Sequence, residues 1–284
     1  MSFLCGLCGS KKTSLVFNTL DYSVSNEAFS IYSCKACGVL ISSPSLSNKQ
    51  LLNYYDKKKY QSFKKTPLSF IDFIYNTVRY FNTKYKLALI RPFIKGPVLD
   101  YGSGSGFFAS FIKKRGVDVD EYEPINVAGG SKKTTLTTKK LQKQKKHYSV
   151  ITLWHVLEHI NTPKETLLTL KGLLKKEGVL VVALPNISSY DSIFYGSCWA
   201  GYDLPRHRFH FNPLSFGNLC VMCGLKVLSV SPLYYDSYFV SILSEQNKKS
   251  FFTLIKGVFR GFLSNIRAKK SQNYSSLVYI LKFH

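Results

Sequence analysis

Val98-Leu99-Asp100-Tyr101-Gly102-Ser103-Gly104-Ser105-Gly106 decides the fold of this 284-residue chain. A short apolar run ends in a carboxylate, and glycine then takes every second position. The run predicts a buried strand. The glycines predict a loop lying against a ligand, because glycine reaches positive φ and lacks the Cβ that would hold the ligand off. Phe107 to Arg115 predicts a helix stopped at Gly116, so the loop joins a strand to a helix N-terminus. Dinucleotide sites favour G-x-G-x-x-G, whose third glycine lets helix and strand close around a pyrophosphate. Here the third glycine comes one residue early and Phe107 holds the later position, which disfavours a dehydrogenase. No G-K-[ST] follows, which excludes a P-loop. Val117 to Tyr122 predicts the next strand, ending at Glu123. A carboxylate about 20 residues past the first glycine is where a doubly wound fold holds a ribose diol.

Working outward, strands and helices alternate, which argues a parallel sheet. Strands are expected at Tyr148 to Trp154, Val179 to Leu184, Lys226 to Ser231 and Leu277 to Leu281. Thr162 to Leu174 predicts a helix, with Thr162 as N-cap, Pro163 in the first turn and Glu165 complementing the dipole. Pro213 to Cys223 predicts another, capped by Asn212 and stopped by Gly224. Ser42 to Gly96 reads as a helical connection or cap, with apolar residues at helical spacing over Leu46 to Tyr55 and Phe70 to Ile94.

The N-terminus carries two C-x2-C pairs, Cys5/Cys8 and Cys34/Cys37, with 25 residues between them. Glycine follows each second cysteine and relaxes the knuckle that aims backbone N–H groups at sulfur. Four thiolates at this spacing fit a closed tetrahedral zinc ribbon, structural because no ligand position stays open. Short strand-like runs at Ser14 to Asn18 and Phe29 to Ser33 suit a ribbon hairpin. The third pair, Cys220/Cys223, sits on a predicted apolar helix and reads as core. The expected organisation is a zinc ribbon over 1–45, a helical connector over 46–96 and the sheet domain over 97–284.

The chain is 45% hydrophobic and 15% aromatic, hence globular. It shows no signal peptide and no apolar run long enough to span a membrane, so a cytoplasmic location is expected. The net charge is +23. Lys132 to Lys146 holds seven lysines and no acid, and eight Lys/Arg with no acid follow Glu245. Nucleic-acid binding is possible on such charge but not favoured over a solvated basic surface. A basic helical insertion is expected at about 234–274. Phe252, Ile255, Phe259, Phe262 and Ile266 share one face of it, while Lys256, Arg260 and Arg267 lie elsewhere. That apolar face is expected to pack on the sheet or a partner copy. The alternative is peripheral contact with an anionic membrane through 248–270.

An acidic strand end followed by G-x-G-x-G resembles the first motif of class I S-adenosylmethionine-dependent methyltransferases. Ile151-Thr152-Leu153-Trp154-His155-Val156-Leu157-Glu158-His159-Ile160 resembles the fourth strand and turn of the branch containing ubiquinone-biosynthesis and sugar O-methyltransferases. Trp199 to Phe211, with Asp203-Leu204-Pro205-Arg206-His207-Arg208-Phe209-His210-Phe211, is similar to that branch's segment after the fifth strand. An N-terminal zinc ribbon also occurs in relatives linked to sugar and polysaccharide modification. The resemblance covers about Val98 to Ser231 and the last strand.

It implies an α/β fold with a doubly wound, mostly parallel seven-stranded sheet. It also implies S-adenosylmethionine wrapped by Gly102, Ser103, Gly104 and Gly106. Asp100 would stand near its ammonium, Glu123 on its ribose, and Trp154 and His155 beside it. The implied reaction is methyl transfer to a small molecule or a sugar or polysaccharide precursor, as O-methylation. Alignment supplies most of the rate, and a general base comes from His155, His159, His207 or His210. Arg206 and Arg208 would hold an acidic group of the acceptor, or pair with Asp203 or Asp191. Glu158 and His159 would suit a divalent ion. The chain departs from the pattern in Thr134 to Tyr148, which has no acid for the adenine, leaving Gln142, a hydroxyl or the backbone. Ser149 stands where Asp commonly begins the fourth strand. Two other readings are an RNA-directed methyltransferase and a non-catalytic scaffold with a ribbon for partners. The oligomeric state is not legible in the sequence.

Overall fold

A computed structural model describes residues 4–55, 70–123, 141 and 147–283, with no side chains described for 70–75. The elements that matter run β1 (Thr13–Leu20), β2 (Ala28–Cys34), β3 (Leu40–Ser43), α1 (Phe70–Ile90), β4 (Val98–Tyr101), α2 (Phe107–Lys113), β5 (Val119–Tyr122) and β6 (Tyr148–Trp154). They continue with α3 (Pro163–Leu173), β7 (Leu174–Pro185), α4 (Tyr190–Tyr195), β8 (Phe209–His210), α5 (Pro213–Met222), β9 (Leu225–Pro232), α6 (Asp236–Asn247), α7 (Thr253–Ser271) and β10 (Ser276–Phe283).

The main sheet has the order β5-β4-β6-β7-β10-β9. The pairs β4–β5, β4–β6 and β6–β7 are parallel, and β10 runs antiparallel to both its neighbours. Covered on both faces, β6 is buried from Tyr148 to Leu153, as the uninterrupted apolar run of a parallel strand requires. Six strands are described where seven were expected. The expected third strand, with Gln142 and most of the lysine block, lies outside the described residues.

Caps fall where the sequence placed them. Asn212 and Ser215 form a reciprocal capping box at the start of α5. Thr162 precedes Pro163 at the start of α3, though its side chain makes no capping bond.

The cysteine-bearing hairpin belongs to a second sheet, β1-β2-β3-β8. Its last strand comes from the far side of the sequence, with Leu40 opposite His210 and Ile41 opposite Phe209. Cys5, Leu7, Cys34, Cys37, Val39 and Ile41 join the same apolar cluster as Leu99, Ile151 and Phe216. Cys220 and Cys223 are buried in that cluster too, as read from sequence.

The two sheets are also stapled by charge. Arg206 is fully buried and donates from Nη2 to Asp21 Oδ1 and Asp203 Oδ1, each at 2.8 Å. It further donates to the carbonyls of Tyr54 and Leu204. Arg206 is therefore a structural clamp and not a hand for the acceptor. Asp191, the other carboxylate considered for it, is bound instead by Trp199 Nε1, Ser264 and Ser275. Arg206→Ala leaves the buried carboxylate of Asp21 with its local donors from Ser23 to Ser25 but without its cation, and chemical denaturation should show a loss of roughly 3–5 kcal/mol.

The helical insertion is present as α6 and α7, but the apolar face of α7 does not pack on the sheet. Small residues of α7 (Gly257, Gly261, Ser264 and Ala268) are the buried ones. A Cβ at Gly257 would stand 2.5 Å from Ile242 Cα, and one at Gly261 would stand 2.7 Å from Tyr238 Cα. Glycine thus lets the two helices touch backbone to backbone, and the large apolar side chains of α7 are left outside. Among the described residues no helix is long and apolar enough to cross a membrane.

Candidate active site

The glycine loop leaves β4 and is held by the end of β5. Gly102 and Ser103 donate their N–H groups to the Tyr122 carbonyl, and Gly104 N–H donates to Glu123 Oε2 at 2.8 Å. Gly102, Gly104 and Gly106 all have positive φ, at 80°, 53° and 69°. A Cβ at Gly102 would lie 2.4 Å from Val156 Cγ2, so this glycine is required by the turn that follows β6. Among the described residues, a Cβ at Gly104 would meet no atom within 4 Å beyond its chain neighbours.

Asp100 is buried and accepts from the Thr152 hydroxyl at 2.9 Å. Burial pushes its carboxyl up to about 7, against that hydrogen bond and the pull of Lys86, with Glu121 and Glu123 adding to the rise. Asp100 and Glu123 therefore feel one another across the loop.

Helix α1 contributes what the sequence did not specify. Arg79 donates to Ser105 Oγ at 2.8 Å and lies over the Phe107 ring. Lys86 places Nζ 4.7 Å from the centre of the Trp154 ring. Burial lowers the Lys86 pKa, while Asp236 and Asp100 raise it. Trp154 also meets Phe108 edge-on, and its buried Nε1 makes no hydrogen bond among the described residues. The segment read as a connector or cap thus borders the glycine loop.

Beyond Trp154 the chain turns through His155 at φ 55°, a conformation uncommon for a residue with a side chain. His155 Nε2 lies 2.9 Å from Asp236 Oδ2, and its Nδ1 lies 3.4 Å from Glu158 Oε1. Burial opposes charge on this imidazole, but the two carboxylates outweigh it and hold the pKa at about 9. Asp236, at the start of α6, was missed by sequence reasoning because it sits in an insertion with no motif around it.

Glu158 is 1% exposed, and among the described residues neither carboxylate oxygen makes a well-formed hydrogen bond. Its pKa is nevertheless lowered, since His155, His207 and His159 together overcome the cost of burial. His159 and His207 pack ring to ring with centroids 4.5 Å apart. Each donates Nδ1–H to a backbone carbonyl, His159 to Arg206 at 3.0 Å and His207 to Gly201 at 2.9 Å. Those bonds fix the tautomers and leave both Nε2 atoms as acceptors. Burial and His207 hold the His159 pKa down at about 4. Donor atoms of Glu158, His159 and His207 lie within 4.8 Å of one another, a set that could hold a divalent cation.

His210 stands apart. Its Nε2 lies 2.9 Å from Ser42 Oγ, and burial drops its pKa well below the usual imidazole range. The structure thus joins His155, His159 and His207 around Glu158, and places His210 at the seam with the ribbon.

The four N-terminal cysteines converge as a separate group. Sγ of Cys5 lies 3.7 Å from that of Cys37, and Sγ of Cys8 lies 3.6 Å from that of Cys34. Thiolates about 2.3 Å from a central zinc in a tetrahedron stand about 3.8 Å apart. The cluster fits the ion.

A methyltransferase domain matches residues 76–230, more than half of the chain. The chain belongs to that family, and it is an S-adenosylmethionine-dependent methyltransferase. Its fold is similar to that of Haemonchus contortus phosphoethanolamine N-methyltransferase 2, at 13% identity and a TM-score of 0.51, over 96% of this chain and 69% of that one. It is also similar to mitomycin 7-O-methyltransferase, at 13% identity and a TM-score of 0.50, over 84% of this chain and 61% of that one. A third similar structure is an S-adenosylmethionine-dependent methyltransferase from Archaeoglobus fulgidus, at 18% identity and a TM-score of 0.46, over 75% of this chain and 100% of that one. No curated protein sequence matches this one.

Proposed function

We propose that this enzyme transfers methyl from S-adenosylmethionine to a hydroxyl of a small molecule or of a sugar or polysaccharide precursor. Gly102, Ser103, Gly104 and Gly106 wrap the donor, Asp100 faces its ammonium end, and Glu123 meets its ribose. Trp154 and His155 close the site from the end of β6. The bound donor supplies an activated methyl, so the protein's task is alignment of the nucleophile and removal of its proton.

The observation that supports this reading is Glu158, a buried carboxylate that, among the described residues, faces His155 Nδ1 at 3.4 Å without a well-formed hydrogen bond and stands beside the imidazoles of His159 and His207. A buried acceptor left unpaired costs roughly 1–3 kcal/mol, more when charged. A hydroxyl entering the cluster relieves that cost and is oriented by doing so. Nε2 of His207 or His159 then receives its proton. His155, held cationic between two carboxylates, offsets the charge of Glu158 and positions it. His210 supports β8 and does not meet the acceptor. The four thiolates of Cys5, Cys8, Cys34 and Cys37 hold a structural zinc.

The test pairs calorimetry with S-adenosylhomocysteine and labelled methyl transfer to a panel of hydroxylated small molecules and nucleotide sugars. Glu158→Gln and His207→Asn should each cut transfer about a hundredfold and leave S-adenosylhomocysteine affinity within about threefold. Binding without transfer to any hydroxyl, or transfer to RNA with steep salt dependence, defeats the reading.

A further inference from the structure

Helix α7 has three sectors, and the fold buries only one. Gly257, Gly261, Ser264 and Ala268 face α6 and are buried. Leu254, Ile255, Val258, Phe259, Phe262 and Ile266 form a second arc, each between 44% and 70% exposed. Phe251 and Phe252 extend it at the helix start, 83% and 75% exposed. The third sector is basic, with Lys256, Arg260, Arg267 and Lys270 along one flank of the apolar arc.

Leaving these side chains in water is costly, at about 25 cal/mol for each Å² of apolar surface. Contiguous patches of this kind mark interaction sites. The inner face is already filled by the close approach to α6, so rotating the helix cannot bury them.

The flanking charge identifies the occupant. Arg260 lies 3.9 Å over the Phe194 ring and Arg267 lies 4.1 Å over the Tyr190 ring, which stand on α4. Their stems are thereby fixed along the rim of the patch. Among the described residues none of the four cations forms a salt bridge. No acidic residue follows Glu245 in the chain, which carries +23 in total. A second copy of this face would bring the same positive rim against itself. A helix with Phe, Leu and Ile on one arc and Lys and Arg beside them matches the interface of an anionic bilayer. There the apolar side chains enter the acyl boundary and the cations meet lipid phosphates.

We propose that the exposed arc of α7 is a docking surface for anionic lipid bilayers, holding the enzyme parallel to a membrane without spanning it. This goes beyond the methyl-transfer reading and stands or falls separately from it.

The experiment is cosedimentation of the full chain with vesicles of phosphatidylglycerol and phosphatidylcholine, and with vesicles of phosphatidylcholine alone. The full chain should sediment with the first and stay free of the second, with binding weakened by salt. Phe259→Ser/Phe262→Ser should reduce binding by about a hundredfold, and Lys256→Glu/Arg267→Glu by about tenfold or more. Phe259→Trp, which keeps the surface apolar, should shift its emission to the blue when anionic vesicles are added. Absence of binding, binding indifferent to both double variants, or an unshifted Phe259→Trp emission overturns the proposal. So does a wild-type dimer that Phe259→Ser/Phe262→Ser converts to monomer by light scattering, since the patch is then a self-interface. Binding to RNA in place of vesicles overturns it as well.

Discussion

Stripping the metal with a chelator, or replacing Cys34 by Ser, should melt the β3–β8 pairing while the glycine loop stays intact. Apparent binding energies of structural zinc are about 10–16 kcal/mol, comparable to or larger than the whole stability of a typical domain. The hairpin also packs Val39 and Ile41 into the main apolar cluster, so the loss should fall on the short β3–β8 pairing and not on the whole ribbon. Ser42 on β3 bonds the His207 carbonyl through its hydroxyl and the Arg208 carbonyl through its N–H. Its hydroxyl also meets His210. When β3 is lost, the segment carrying His207 loses those partners. The measurement is amide hydrogen exchange before and after chelation. Protection at Ile41, Ser42 and Phe209 should fall about a thousandfold, with one zinc released per chain. S-adenosylhomocysteine affinity should change by less than about threefold, because β4 and the loop lie in the other sheet. Unchanged protection in the metal-free protein would show that β3 and β8 hold without the ion.

This coupling explains why some of the molecule was legible in the sequence and some was not. Glycines, caps and C-x2-C pairs act within a few residues, so Gly102 to Gly106, Asn212 and the four cysteines could be read directly. Periodicity placed the strands, since burial on both faces leaves an uninterrupted apolar run such as that of β6. What escaped were partnerships between distant segments. Asp21 looks like an ordinary turn residue until Arg206 is buried against it. Asp236 sits in an insertion, and only its approach to His155 gives it meaning. Leu40 to Ser43 is short, and its strand character depends on β2 and on β8. In α7 the apolar stripe was legible, but it does not make the packing within the chain. The large residues suggested a core face, whereas the packing is made by glycines that hydrophobicity does not weigh.

Gly104→Ala should leave the protein folded and weaken S-adenosylhomocysteine binding by about a hundredfold. Two effects of a new methyl must be separated at this loop. At Gly102 the Cβ collides with Val156 and the backbone sits at φ 80°, so Gly102→Ala damages the fold itself. A left-handed conformation alone costs roughly 1–2 kcal/mol, and the collision adds to it. At Gly104 the φ of 53° carries the first cost but not the second, because among the described residues no atom beyond its chain neighbours lies within 4 Å of the new Cβ. The methyl instead projects from the loop into space that no described residue fills. If that space holds the donor, an unyielding backbone and a tightly packed ligand convert one methyl into about 2–3 kcal/mol of lost affinity. Calorimetry on Gly104→Ala, set beside thermal unfolding of Gly102→Ala and Gly104→Ala, distinguishes the two. Gly102→Ala should show the larger drop in melting temperature and Gly104→Ala the larger loss of binding. Should Gly104→Ala bind S-adenosylhomocysteine as tightly as the wild type, the donor does not lie against this loop, and Asp100 and Glu123 lose the roles proposed for them.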